Sequence, residues 1–219
     1  LHAPGGPRLN DFRQQNEESP YWGVINQMRT SYTPADLQVG FKASPLPGLG
    51  FHLFGGYRVT KDEIFHLYPD ITDTDFPYCY SLLMQEKAKV GYGGIKAAYG
   101  YKDIFDFSVG GTYYGWNVKD EAKVLLYLKP EFVLDASARA KVYDEFWISA
   151  VYRYEGRVKA GELEKADAIN NLSLSAGYKF FNSLNVFVRF NNLLNQDYIT
   201  VAGYPVQGFN AMAGVSFRF

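Results

Sequence analysis

Residues Glu131-Phe132-Val133-Leu134-Asp135-Ala136-Ser137-Ala138-Arg139-Ala140-Lys141-Val142 alternate with period two. Phe132, Leu134, Ala136, Ala138, Ala140 and Val142 fall on one side; Glu131, Val133, Asp135, Ser137, Arg139 and Lys141 fall on the other. Successive side chains of an extended chain point to opposite faces, so the spacing predicts a β-strand with one apolar and one largely polar face. A helix would mix the two sets around its circumference.

The alternation recurs along the chain. Phe146, Ile148, Ala150, Tyr152 and Tyr154 oppose Trp147, Ser149, Val151, Arg153, Glu155 and Arg157. Leu172, Leu174, Ala176, Tyr178 and Phe180 oppose Asn171, Ser173, Ser175, Gly177 and Lys179, and 184–191 and 209–219 follow the same rule. Upstream, 35–43, 51–60 and 105–114 alternate more softly. Between 87 and 101 the apolar parity switches at Gly93-Gly94, from Val90 and Tyr92 to Ile95, Ala97 and Tyr99, which predicts a β-bulge. About nine strands are expected from Ala35 onward, with 21–30 as a tenth strand or an extension. Residues 1–34 thus read as an N-terminal loop or strand extension, and 35–219 as one all-β segment.

The connections set the architecture. Short ones (44–50, 102–104, 143–145, 181–183) alternate with long ones (61–86, 117–129, 158–168, 193–208). An antiparallel up-and-down β-barrel in an outer membrane has this rhythm, with short turns in the periplasm and long loops outside the cell. The predicted strands run about 9–13 residues, long enough to cross a bilayer at a tilt. Tyr99, Tyr101, Phe105, Tyr143, Phe146, Trp147, Tyr178, Phe180, Phe181, Phe217 and Phe219 sit beside short turns or at the C-terminus, where an aromatic girdle is expected. In a soluble barrel the face opposite the core would be fully polar, whereas the second face here mixes Ser, Gly, Asn, Asp and Arg, as in a wet lumen.

Composition agrees with this reading. Mean hydropathy is −0.22, as suits strands that place only alternate residues in lipid. No run approaches the roughly 18–20 apolar residues of a membrane helix. The net charge of −1 argues against a nucleic-acid partner. The lone Cys79 cannot form an internal disulfide. The chain opens without a visible signal peptide, as a mature or truncated product would.

Met212-Ala213-Gly214-Val215-Ser216-Phe217-Arg218-Phe219 resembles the β-signal of outer-membrane proteins: Gly214, Phe217 and Phe219 fit, while Met212 replaces a usual polar residue. The resemblance implies recognition by the barrel-assembly machinery. Phe190-Asn191-Asn192-Leu193-Leu194-Asn195-Gln196-Asp197-Tyr198, followed by Gly203-Tyr204-Pro205 and Gly208, resembles the C-terminal region of TonB-dependent receptors. Asn192, Leu193, Leu194, Asn195 and Tyr198 match that pattern; Gly208-Phe209 departs from the Gly-Arg that often follows the Pro. Leu128-Lys129-Pro130-Glu131, entering a strand, is similar to receptor-like barrels of Bacteroidetes type. The family implies a nutrient importer of about 22 strands around an N-terminal plug, driven by TonB. A chain of about ten strands leaves no room for a plug, so the expectation is the C-terminal part of a larger receptor in the bacterial outer membrane. TonB would then act through a plug not present in this chain, and a surface lipoprotein is a further expected partner.

Candidate site residues follow from the faces. Glu131, Asp135, Arg139, Lys141, Arg153, Glu155, Arg157, Lys179, Arg189 and Arg218 would point inward and pair across strands as a charge ladder. Arg153, Arg157 and Arg189 are the ladder members expected to meet ligand, with Tyr114, Trp116, Tyr198 and Tyr204 near the outer rim. His66, among Asp62, Glu63, Asp70, Asp73 and Asp75, reads as part of a solvated acidic loop rather than as a catalytic base. Asp70-x-x-Asp73-x-Asp75 lacks the Gly and terminal Glu of a calcium loop, and no helix follows Gly91-x-Gly93-Gly94 to make it a phosphate loop. No catalytic residue, cofactor or metal is expected. The competing functions are a complete small barrel with an adhesin or structural role, and a small-barrel enzyme.

Overall fold

The computed structural model describes residues 29–67, 82–161, 165–180, 183–201 and 204–217. Residues 21–28 of the expected extra strand, together with Asp70, Asp73, Asp75, Phe181, Arg218 and Phe219, lie outside them. The strands are β1 (Tyr32–Leu46), β2 (Leu49–Leu67), β3 (Leu82–Tyr101), β4 (Phe105–Asn117), β5 (Pro130–Lys141), β6 (Phe146–Arg157), β7 (Ile169–Phe180), β8 (Leu184–Asn191), β9 (Ile199–Val201), β10 (Tyr204–Pro205) and β11 (Asn210–Phe217). Nine of them form one antiparallel meander in the order β1-β2-β3-β4-β5-β6-β7-β8-β11. β9 and β10 make a small ribbon inside the connection from β8 to β11. Among the described residues β1 and β11 do not pair with each other, so the sheet is open.

The register carries the period-two reading across the wall. Ala138 pairs with Phe107 and Ala150, Ala150 with Leu174, and Leu174 with Phe190, so apolar residues share one face. That face is uncovered: Val39 is 76% and Val215 68% exposed. Soluble monomers rarely leave such a surface open to water, whereas a wall in lipid requires it. Tyr101, Tyr143, Tyr178 and Phe180 are exposed beside the short turns, as a girdle requires. Trp147 is a correction, because it pairs with Lys141 on the polar face.

The expected bulge at Gly93-Gly94 is absent. β3 stays in continuous register with both neighbours there, and the slip falls in β2 between Thr60 and Glu63. The parity switch is nevertheless real: Val90 and Tyr92 face the polar side, and Ile95, Ala97 and Tyr99 the apolar side. Glycine makes this possible by ceding volume across the strand. The Tyr92 ring lies where a Cβ on Gly56 would be, and the Phe54 ring where a Cβ on Gly94 would be.

The short end turns tightly, since Leu46 pairs with Leu49 and Gly48 takes the left-handed φ of 78° that the turn needs. The long-loop end holds the buried core. The 117–129 connection forms a 3-10 helix, Asp120–Leu126, whose Ala122, Leu125 and Leu126 bury with Phe65 and Ala88 on the polar side of β2 and β3. Trp116, Val118, Val124 and Val158 pack around them. The loop thus folds over the polar face.

Candidate functional site

The long-loop half of the polar face is a network of neutralised charge. Asp36 pairs with Arg58 at 2.9 Å, Glu131 with Lys165 at 2.9 Å, Glu86 with Lys119 at 3.4 Å and Glu63 with Lys129 at 3.8 Å. Arg153 of β6 bridges Asp135 of β5 and Glu155, both at 3.0 Å. Such half-exposed pairs contribute about 0–1 kcal/mol each, so they set side-chain positions more than stability. Arg157 differs, being only 2% exposed. Its guanidinium meets Glu155 at 2.7 Å and donates to the carbonyls of Leu128 and Ile199, the latter at 2.9 Å. One buried cation thereby joins the β4–β5 and β8–β11 connections.

The segment from Asn192 to Gln196 is a second rigid node. Asn192 and Asn195 hold φ values of 48° and 46°, a left-handed conformation that asparagine tolerates better than most residues. The Asn192 amide donates to the carbonyls of Gln196 and Gln207, and its Oδ1 accepts from the Gln196 N–H. Asn195 Oδ1 accepts from the Phe209 N–H at 2.9 Å, which aims the chain into β11. Gln196 reaches back to Ala168 and Asn170 at the start of β7. The repeated asparagines of this segment are therefore structural: they fold the last loop onto the neighbouring one.

The candidate residues separate on these contacts. Trp116 is committed to the wall, donating from Nε1 to the Pro130 carbonyl at 2.8 Å under the Lys129 ammonium. Tyr114 stands on the polar face beside Tyr92, their ring centroids 6.1 Å apart. Tyr198 accepts from the Asn171 amide at 2.8 Å and borders a rim pocket of about 400 Å³ with Tyr127, Leu128, Lys165, Asp167 and Asp197. Arg157 closes loop carbonyls and is not presented to a ligand. Arg153 and Arg189 remain partly exposed on the polar face, with Arg189 Nε 3.4 Å from Ser175 Oγ. The backbone of Tyr204 pairs with Val201. Gly214 lies under the Phe187 ring, and Phe217 is exposed on the apolar face. Sequence reading missed the node around Gln196 and the stacking of Arg139 on Trp147 at 4.7 Å. The run of asparagines was a signal for the first; nothing local signals the second.

No family model matches the sequence, and no curated protein matches it. Solved structures do match. The copper transporter OprC aligns over 90% of this chain with a TM-score of 0.67 and 15% identity, and the chain covers 33% of it. The ferric-catecholate import receptor Fiu of E. coli K12 aligns over 84% with a TM-score of 0.62 and 17% identity, 27% of its length being covered. The iron transporter FrpB of Neisseria meningitidis aligns over 84% with a TM-score of 0.58 and 18% identity, 30% of its length being covered. The chain thus spans about a third or less of these proteins, and the likeness is one of fold. Over its described residues, this chain has the fold of the barrel wall of outer-membrane TonB-dependent receptors.

Proposed function

We propose that this chain is the C-terminal barrel portion of a TonB-dependent outer-membrane receptor that imports a scarce nutrient. The observation that carries the reading is the two-faced wall: an apolar face suited to lipid backs a polar face of ion pairs, hydroxyls and amides, on a sheet whose fold is similar to that of an import receptor. The asparagine-rich last loop, which resembles that family by sequence, supports it from a separate direction. Unpaired strand edges in lipid cost several kcal/mol per group, so the reading also needs further strands beside β1 and β11. A self-contained small barrel would instead need β1 and β11 to pair directly.

In this reading outer-membrane lipid covers the apolar face, and the barrel-assembly machinery reads Gly214, Phe217 and Phe219. TonB acts through a plug carried outside this chain, and a surface lipoprotein is a further partner at the long loops. The role is transport without catalysis. Deleting the gene tests it: accumulation of one scarce nutrient should fall to the level of a TonB-deficient strain. Unchanged uptake of iron chelates, cobalamin and glycans, with adhesion lost instead, would replace the proposal by an adhesin.

A further inference from the structure

The two halves of the polar face differ in charge balance. In the long-loop half each carboxylate of Asp36, Glu63, Glu86, Glu131, Asp135 and Glu155 has a cationic partner. Nearer the short turns a row crosses four strands in register: Arg139 on β5, Ser149 on β6, Ser175 on β7 and Arg189 on β8. Neither arginine forms an ion pair among the described residues; Arg139 stacks on Trp147 and Arg189 meets Ser175. Asp106 is the cross-strand neighbour of Arg139, but the guanidinium turns away from it toward β6. Arg189 leans the opposite way, toward β7. The two backbone positions lie about 14 Å apart, three strand spacings, and the side chains lean toward each other, Arg139 onto the Trp147 ring and Arg189 onto Ser175.

The Trp147 ring covers Gly177 as part of the floor beneath them, with ring atoms 2.5–2.6 Å from the place a Cβ would take. On β7, β8 and β11 the described polar-face positions include Lys179 and Arg189 and no carboxylate.

We propose that this row is a binding site for a small organic anion bearing carboxylates, held between the Arg139 and Arg189 guanidiniums with the serine hydroxyls donating from below. Guanidinium forks match carboxylates through paired charge-assisted hydrogen bonds, and two guanidiniums that lean toward each other with no ion pair among the described residues favour such a guest. The site rests on the import reading for its purpose, as a stop for an anionic solute, but not for its existence.

The test uses the complete protein extracted from the outer membrane in detergent, with citrate as probe and calorimetric titration at low salt. Citrate binds the wild-type protein and glucose does not. Arg139→Gln and Arg189→Gln each weaken citrate binding at least tenfold, and Arg58→Gln leaves it unchanged. Arg139→Lys and Arg189→Lys, which keep the charge but not the fork, give an intermediate loss and stand in for any Gln variant that fails to assemble. Citrate that does not bind the wild-type protein, or that binds the arginine variants as tightly, overturns the site. Unchanged uptake on deleting the gene, with citrate binding intact, would count against import and leave the site standing.

Discussion

Arg157 joins two connections through backbone carbonyls, with Glu155 as its counter-ion. Replacing it with Met would leave both carbonyls unpaired in a buried place, so Arg157→Met should lower unfolding free energy by about 3 kcal/mol, read from guanidinium denaturation in detergent. Arg58→Met, which breaks a half-exposed pair, should change it by less than about 1 kcal/mol. Asn192 combines burial, a left-handed φ and three side-chain bonds. Asn192→Ala should cost about 2 kcal/mol, and Asn192→Gly should recover roughly half of that by relieving the backbone alone. Equal losses in both variants would show that the backbone conformation contributes nothing. At this scale the sequence was partly legible. Alternation placed Arg153, Arg157 and Arg189 on one face, but alternation is blind to which cation finds a carbonyl, a carboxylate or no ionic partner.

Strands were the most legible elements, because burial on one face only leaves a period that single residues cannot hide. Loops were the least legible. The helix Asp120–Leu126 lies in a stretch whose apolar residues answer to Phe65 and Ala88, far away in sequence. At its start Lys123 meets Asp120 at 2.7 Å, and that hydrogen bond and charge hold the Asp120 carboxyl below the usual aspartate value. A lowered folded value means the contact favours the folded loop above about pH 4 and is lost as pH falls through the folded value. Lys123→Gln should return the Asp120 carboxyl to the ordinary range in a carbon-detected NMR titration. Between strands, aromatic rings take the volume that glycines leave. A methyl on Gly214 would sit 2.4–2.5 Å from Phe187 ring atoms, so Gly214→Ala should reduce the folded, heat-modifiable band on gels. Adding Phe187→Ala should restore it; failure to restore would assign the glycine another role.

At the scale of the whole molecule, the apolar face belongs in lipid and the polar face in water. The softer alternation of β1–β4 also resolves at this scale: the parity change in β3 is legible only once Gly56 and Gly94 are seen beneath rings from the neighbouring strand. Site-directed labelling tests the two-faced wall directly, in a Cys79→Ser background with single cysteines placed one at a time from 131 to 141. With the protein in its native outer membrane, positions 131, 135, 137, 139 and 141 should react with a water-soluble thiol reagent, while 133 is buried on the polar side and is left out. Positions 132, 134, 136, 138 and 140 should react only with a membrane-soluble one. Water-soluble labelling at every position, or a period other than two, would contradict a membrane-spanning wall.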